Sequence, residues 1–221
     1  TSHVLYTTGY VQDLDALAEI AHRAGTYILV DGYQGPGQVP VDLGASEVDF
    51  YTTGPLKWLC GGPGLSYLYV REELIHKLQP RITSWFAAKD QFDFNLEHFV
   101  RHDDARRFEL GTPALPTIHT ALGGQEIIDE IGIDAIYERN RMLTAHLIAQ
   151  ALKSGLKLTT APNPDDRSAI VMIRHGDPPE AVARLTERGI IVDHRPGHVR
   201  VSPHFYNTTD EIDRCINVLS A

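Results

Sequence analysis

Lys57, Asp31 and Arg200 lie far apart in this chain, yet each is of a type and in a setting that can do chemistry: an amine, a carboxylate and a guanidinium. Lys57 sits in Thr52-Thr53-Gly54-Pro55-Leu56-Lys57-Trp58-Leu59-Cys60-Gly61-Gly62-Pro63-Gly64, a segment of turn formers between two strand-like runs, 48–51 and 65–70. A lysine between apolar Leu56 and Trp58 is poorly placed as a solvated surface group. Partial desolvation lowers its pKa and favours attack on an aldehyde. Asp31 closes the apolar run Tyr27-Ile28-Leu29-Val30 and precedes Gly32-Tyr33-Gln34. A carboxylate at a buried strand end can hold a pyridinium nitrogen protonated. Together the two are what a pyridoxal phosphate (PLP) enzyme requires: a lysine to form the Schiff base and an acid to keep the ring an electron sink. Arg200 alternates with Val199 and Val201, so its side chain faces away from theirs. A guanidinium there can bind a carboxylate through two parallel hydrogen bonds. Taken singly, each has an ordinary alternative: a loop lysine, a turn aspartate at Asp-Gly, a strand arginine in a surface ion pair.

The elements that must position these residues change character along the chain. Residues 1–80 alternate strand and helix. A strand over 3–6 leads to a turn at Thr8-Gly9, and Leu14, Leu17, Ala18, Ile20 and Ala21 recur at helical spacing until Gly25. The strand over 27–31 follows at once. Apolar strands separated by helices predict a parallel sheet covered on both faces, with ligands gathered at the carboxyl ends, where Asp31 stands. Residues 80–112 are irregular and rich in aromatics, which points to a functional or interface segment. Helices are predicted over 114–131 and 134–153, joined at Gly132, with Asp134 as the N-cap of the second. The remainder reads as strands over 156–159, 169–174, 190–193 and 199–202 and helices over 178–188 and 208–219. Thr208 and Glu211 have capping-box spacing. These elements predict 1–112 as a partial large domain with an interface segment, and 113–221 as connecting helices and a small α+β domain.

Composition excludes several classes of function. The net charge is −9, from 20 basic and 29 acidic residues, which argues against nucleic acid or an anionic membrane as partner. No apolar run approaches the ~20 residues of a membrane-spanning helix. Cys60 and Cys215 have no metal-ligand spacing and fit a reducing cytoplasm. His194, His198 and His204 cluster in sequence, but across a turn and a strand without acidic partners, which argues against a metal site.

Further motifs extend the pattern over the whole chain. They are Val30-Asp31-Gly32-Tyr33-Gln34, Val48-Asp49-Phe50, Lys57-Trp58-Leu59 followed by Gly61-Gly62-Pro63-Gly64, Arg107-Phe108-Glu109 with Gly111-Thr112-Pro113, and Val199-Arg200-Val201-Ser202-Pro203 with Tyr206-Asn207-Thr208. In this order they resemble the fold-type I PLP enzymes of aminotransferase class V, which include kynureninases, cysteine desulfurases and isopenicillin N epimerase-like proteins. Within that family the likeness is greatest to kynureninase, through Leu5-Tyr6-Thr7-Thr8-Gly9, Trp85-Phe86 and His194-Arg195-Pro196. Gln34 and Leu56 depart from the kynureninase pattern, and residues 189–199 contain no cysteine for desulfurase chemistry.

The resemblance implies an α/β fold: part of a PLP-transferase large domain, with a mostly parallel sheet between helices, plus a small C-terminal α+β domain. It implies that Lys57 carries PLP and shuttles the substrate α-proton, and that Asp31 meets the pyridine nitrogen. Gln34 and Tyr6 would bond the cofactor's phenolic oxygen, and Arg200 the substrate carboxylate. Trp85 and Thr112 would donate to the phosphate across a homodimer interface. The implied activity, on a small amino acid in the cytoplasm, is a kynureninase-like lyase (formally a hydrolase) or an aminotransferase. No segment here corresponds to the family's phosphate-binding loop or ring-stacking aromatic residue. The chain therefore reads as roughly the C-terminal half or a little more of such a protein, and a non-catalytic fragment or assembly module is the alternative.

Overall fold

The computed structural model describes all residues, Thr1–Ala221. Its first sheet has the order β1-β2-β3, with β1 Leu29–Asp31, β2 Phe50–Thr53 and β3 Tyr67–Val70. β1 and β2 are parallel, and β3 runs antiparallel to β2. Helix α1 (Leu14–Arg23) is capped by the Asp13 side chain, which accepts from Ala16 N–H at 3.0 Å. It covers one face, where Ala18, Ile28, Val30, Val48 and Tyr51 form a buried cluster. The predicted cover on both faces is not found within this chain. Tyr27, Leu29 and Leu68 are each about half exposed on the other side.

The strand predicted over 3–6 is reduced to single bridges, Ser2 to Asp31 and Val4 to Val11. The turn chemistry of Thr8-Gly9 acts too early for a longer ladder. Gly9 has φ 76°, and Leu5 N–H already donates to Tyr10 O at 2.9 Å. Thr1–His3 instead line the outer edge of β1, through Asp31 N–H to Thr1 O at 2.7 Å and His3 N–H to Asp31 O at 2.9 Å.

Short α2 (Glu72–Ile75) follows the first sheet, and residues 80–112 hold two 3-10 turns, Trp85–Ala87 and Ala105–Phe108, and one bridge, Ala88 to Arg101. Two long helices come next, α3 (Leu115–Ile131) and α4 (Ile133–Lys153). Gly132, at φ 85°, separates them, so α4 starts at Ile133. Asp134 therefore lies in the first turn and not at the N-cap. There it favours the helix through its charge.

The second sheet is antiparallel, in the order β4-β6-β5, with β4 Val171–Arg174, β5 Asp193–Arg195 and β6 His198–Val201. Helices α4, α5 (Pro178–Glu187) and α6 (Thr209–Leu219) pack on it around a 13-residue core that includes Leu143, Leu147, Val171, Ile173, Leu185, Val199 and Ile216. The Thr208–Glu211 capping box is formed. The strand predicted over 156–159 is a single bridge, Leu158 to Ile173. The strand predicted over 190–193 begins at Asp193, because Ile190 N–H still donates to Leu185 O and closes α5. A third cluster joins the two regions: Val4, Val39 and Trp58 pack against Ala169, Ile170 and Met172. No helix is long and apolar enough to cross a membrane.

Candidate active site

Tyr6, Asp31, Gln34, Lys57 and Arg200 line one cavity of about 280 Å³, together with Tyr33 and Arg195. That volume is just below the ~300–1,000 Å³ usual for small-molecule sites. The cavity opens at the carboxyl end of β1, where ligands collect in sheets of this kind.

Asp31 is the last residue of β1, and its Oδ1 accepts from Tyr33 N–H at 3.0 Å. The chain must turn there without a side chain at the next residue. A Cβ on Gly32 would come within 2.0 Å of the Tyr51 ring, which lies buried beneath it. Tyr51 Oη meets His3 Nδ1 at 3.0 Å, and burial pushes the Tyr51 phenol up and His3 down to about 4.

The lysine loop is docked from three sides. Trp58 Nε1 donates to Gln34 Oε1 at 2.8 Å. The carbonyl of Trp58 accepts from buried His204 Nε2 at 3.1 Å, and the two rings lie 5.1 Å apart. Beneath the loop runs α3, where a Cβ on Gly124 would lie 2.4 Å from Leu59 O. Positive φ in the loop falls at Cys60, at 58°, and at Gly64, at 97°, rather than at Gly61 or Gly62. Because Oε1 of Gln34 is taken by Trp58, its amide N–H₂ is the end left to donate into the cavity.

Leu56 and Lys57 are exposed, against the expectation that the lysine is withdrawn from solvent, because the turn carries both outward; the Lys57 ammonium stands 5.6 Å from the Tyr33 ring centroid. Desolvation lowers its pKa; Asp31 opposes that shift, while Arg200 and Arg195 add to it. A lysine so placed deprotonates more readily than one in water and is the better nucleophile.

Arg200 leaves the face of β6 opposite buried Val199 and Val201, as alternation predicts. Its fork is engaged by a residue that sequence reasoning did not single out. Nε donates to Asp193 Oδ1 at 2.8 Å and Nη2 to Asp193 Oδ2 at 2.5 Å, while Nη1 donates to Tyr6 O at 3.1 Å. Arg195 enters the same cavity over the Tyr6 ring, with its guanidinium carbon 5.4 Å from the centroid. The signal for both was present in Arg195-Pro196-Gly197-His198. A two-residue Pro-Gly turn, with Gly197 at φ 73°, pairs Arg195 with His198 and hence Asp193 with Arg200.

Trp85 and Thr112 are not brought to this cavity. Trp85 packs edge-on to Phe86 and Phe92, with centroids 5.1 and 6.3 Å away, and Thr112 is exposed. The three histidines of the C-terminal region go to separate partners: His204 to Trp58 O, His198 to Thr159, and His194 to the exposed side of β5.

The sequence profile of the Aminotransferase class-V family matches residues 1–215. The chain belongs to that family. It is 35% identical over 219 residues to a Bacillus subtilis (strain 168) protein described as the uncharacterized aminotransferase YcbU, covering 99% of this chain and 58% of that one. It is 30% identical over 226 residues to kynureninase of Bacillus mycoides (strain KBAB4), covering 98% of this chain and 52% of the enzyme. This class V chain thus spans little more than half the length of those relatives. Among solved structures, a C-DES mutant with glycine covalently linked to its PLP cofactor superposes with a TM-score of 0.88 at 22% identity, over 99% of this chain and 59% of that one. At that identity the likeness shows the fold, a partial large domain of fold-type I.

Proposed function

We propose that this chain bears the reactive amine and the carboxylate-recognition side of a PLP-dependent enzyme acting on an α-amino acid, as a kynureninase-like lyase or an aminotransferase. The observation that carries the reading is the convergence of Asp31, Lys57 and Arg200 on one cavity from three separate parts of the chain. When bound, PLP supplies an aldehyde for amines and a ring that withdraws electrons from the substrate α-carbon. The donor set fits it: a partly desolvated amine for the aldehyde and a carboxylate for the ring nitrogen. The Gln34 amide and the Tyr6 hydroxyl are hydrogen-bond donors for the phenolic oxygen.

In this reading Lys57 is the nucleophile and then, once free, the base that holds the α-proton at Nζ. Asp31 is the partner of the ring nitrogen. Arg200, braced from behind by Asp193, presents its remaining N–H groups to the α-carboxylate. Trp85 and Thr112 serve the phosphate of a second copy. The aromatic segment that carries them leaves Phe92, Phe94 and Leu96 exposed, as an interface between copies requires.

The exposed Leu29 and Leu68 face favours the alternative, a non-catalytic assembly module. One experiment separates the two. The chain is incubated with PLP, borohydride-reduced and digested, and the modified peptide is identified by mass. Modification at Lys57, lost in Lys57→Ala and diminished in Asp31→Asn, supports the enzyme reading. Unselective modification of several lysines sinks it.

A further inference from the structure

We propose that Arg195 determines specificity by recognising a second anionic group, carried on the side chain of the amino acid that the cavity takes. The inference rests on the reading that the cavity binds an α-amino acid.

One carboxylate serves two guanidinium groups here, and it serves them unequally. Asp193 gives both oxygens to Arg200, in a fork of 2.8 and 2.5 Å. Arg195 reaches Asp193 Oδ2 only through Nη1, at 3.3 Å, and spends that same nitrogen on its own neighbour, His194 O, at 2.7 Å. Its Nη2 makes no hydrogen bond within the chain. A guanidinium nitrogen with no acceptor in the chain is a donor that a ligand can use. The Tyr6 ring lies 5.4 Å from the guanidinium carbon and holds the charge at the cavity.

Charge balance leads to the same ligand. Arg195 and Arg200 share the single carboxylate of Asp193, which leaves one positive charge in surplus on that wall of the cavity. A zwitterionic amino acid with a neutral side chain leaves that surplus in place. A substrate with a second carboxylate cancels it. Because the Asp193–Arg200 pair is already braced for one carboxylate, the second falls to Arg195, whose planar fork suits it. Strand geometry separates the two tasks: Asp193 lies directly opposite Arg200, while Arg195 lies two residues along, on the same face.

The test is calorimetric binding of L-aspartate, L-glutamate and L-alanine to the chain saturated with PLP. The expected result is that an acidic amino acid binds at least about tenfold more tightly than L-alanine, the scale of one charge-assisted hydrogen bond. Arg195→Gln should erase that preference while leaving the L-alanine Kd within about twofold. Arg195→Lys should retain part of it, and it stands in if the glutamine variant does not fold. Equal weakening toward all three ligands in both variants would make Arg195 a mere support for Arg200 and overturn the proposal. So would parent protein that binds L-alanine as tightly as L-aspartate, with the PLP reading left intact. If none of the three binds, the amino-acid reading and this inference fall together.

Discussion

The two sheets of this molecule solve the burial problem differently. In β4-β6-β5 the inward residues Val171, Ile173 and Val199 are fully buried, and three helices close over them. In β1-β2-β3 one face packs on α1, while the other shows Leu29 and Leu68 half exposed. The better-covered sheet supplies the arginines, and the half-covered sheet supplies Asp31 and positions Lys57. The contrast shows that precision at a site does not require a closed core beneath it. The lysine loop is held by specific bonds, from Trp58 to Gln34 and from His204 to Trp58, where the second region relies on apolar volume.

That contrast can be broken or sharpened by substitution. The largest effect is expected at Ile173→Ala, which removes a fully buried side chain from the closed core. It should cost ~2–5 kcal/mol in urea unfolding; a loss under ~1 kcal/mol would show the second core to be loosely packed.

Next comes the acid sensitivity of the first region. His3 is buried beside Tyr51 and has its pKa pushed down to about 4. The unfolded chain, with a histidine pKa near ~6.5, takes up the proton first, so stability present above that pH is lost as pH falls toward 4. The shift corresponds to about 3 kcal/mol. His3→Asn should flatten this part of the stability profile; an unchanged profile would mean that His3 does not carry it.

A smaller effect is expected at Thr208→Ala, which opens the capping box of α6 and should cost about 1 kcal/mol. Circular dichroism melts would register it as a modest fall in Tm without loss of fold. Least of all should be Leu68→Ser, on the uncovered face of the first sheet, within about 0.5 kcal/mol. If it instead destabilises as much as Ile173→Ala, the protein in solution covers that face, and the contrast between the sheets disappears.

Local chemistry was enough to read the helices. Thr208 marks the start of α6, Gly25 and Gly132 mark ends, and helical spacing marks α1, whereas Asp134 proved to lie inside α4 and not at its cap. The candidate site was largely legible too. Asp31 and Lys57 announce themselves as charged residues at the edges of apolar strands, and Arg200 by alternation with two valines.

Strand extent was less legible, because pairing is a property of two segments. The run over 3–6 has strand composition, yet the Thr8-Gly9 turn leaves it only single bridges. The run over 190–193 gives its first residues to closing α5. Register decided the rest. Only when Pro196-Gly197 sets β5 against β6 does Asp193 meet Arg200, and only then does Arg195 turn over Tyr6 into the cavity. Residue types and spacing by themselves determined that an amine, an acid and a guanidinium were available to one family's chemistry. Tertiary structure alone decided that they share a cavity and which donors remain free in it, because hydrogen-bond partners come from segments whose distance in space no local pattern encodes.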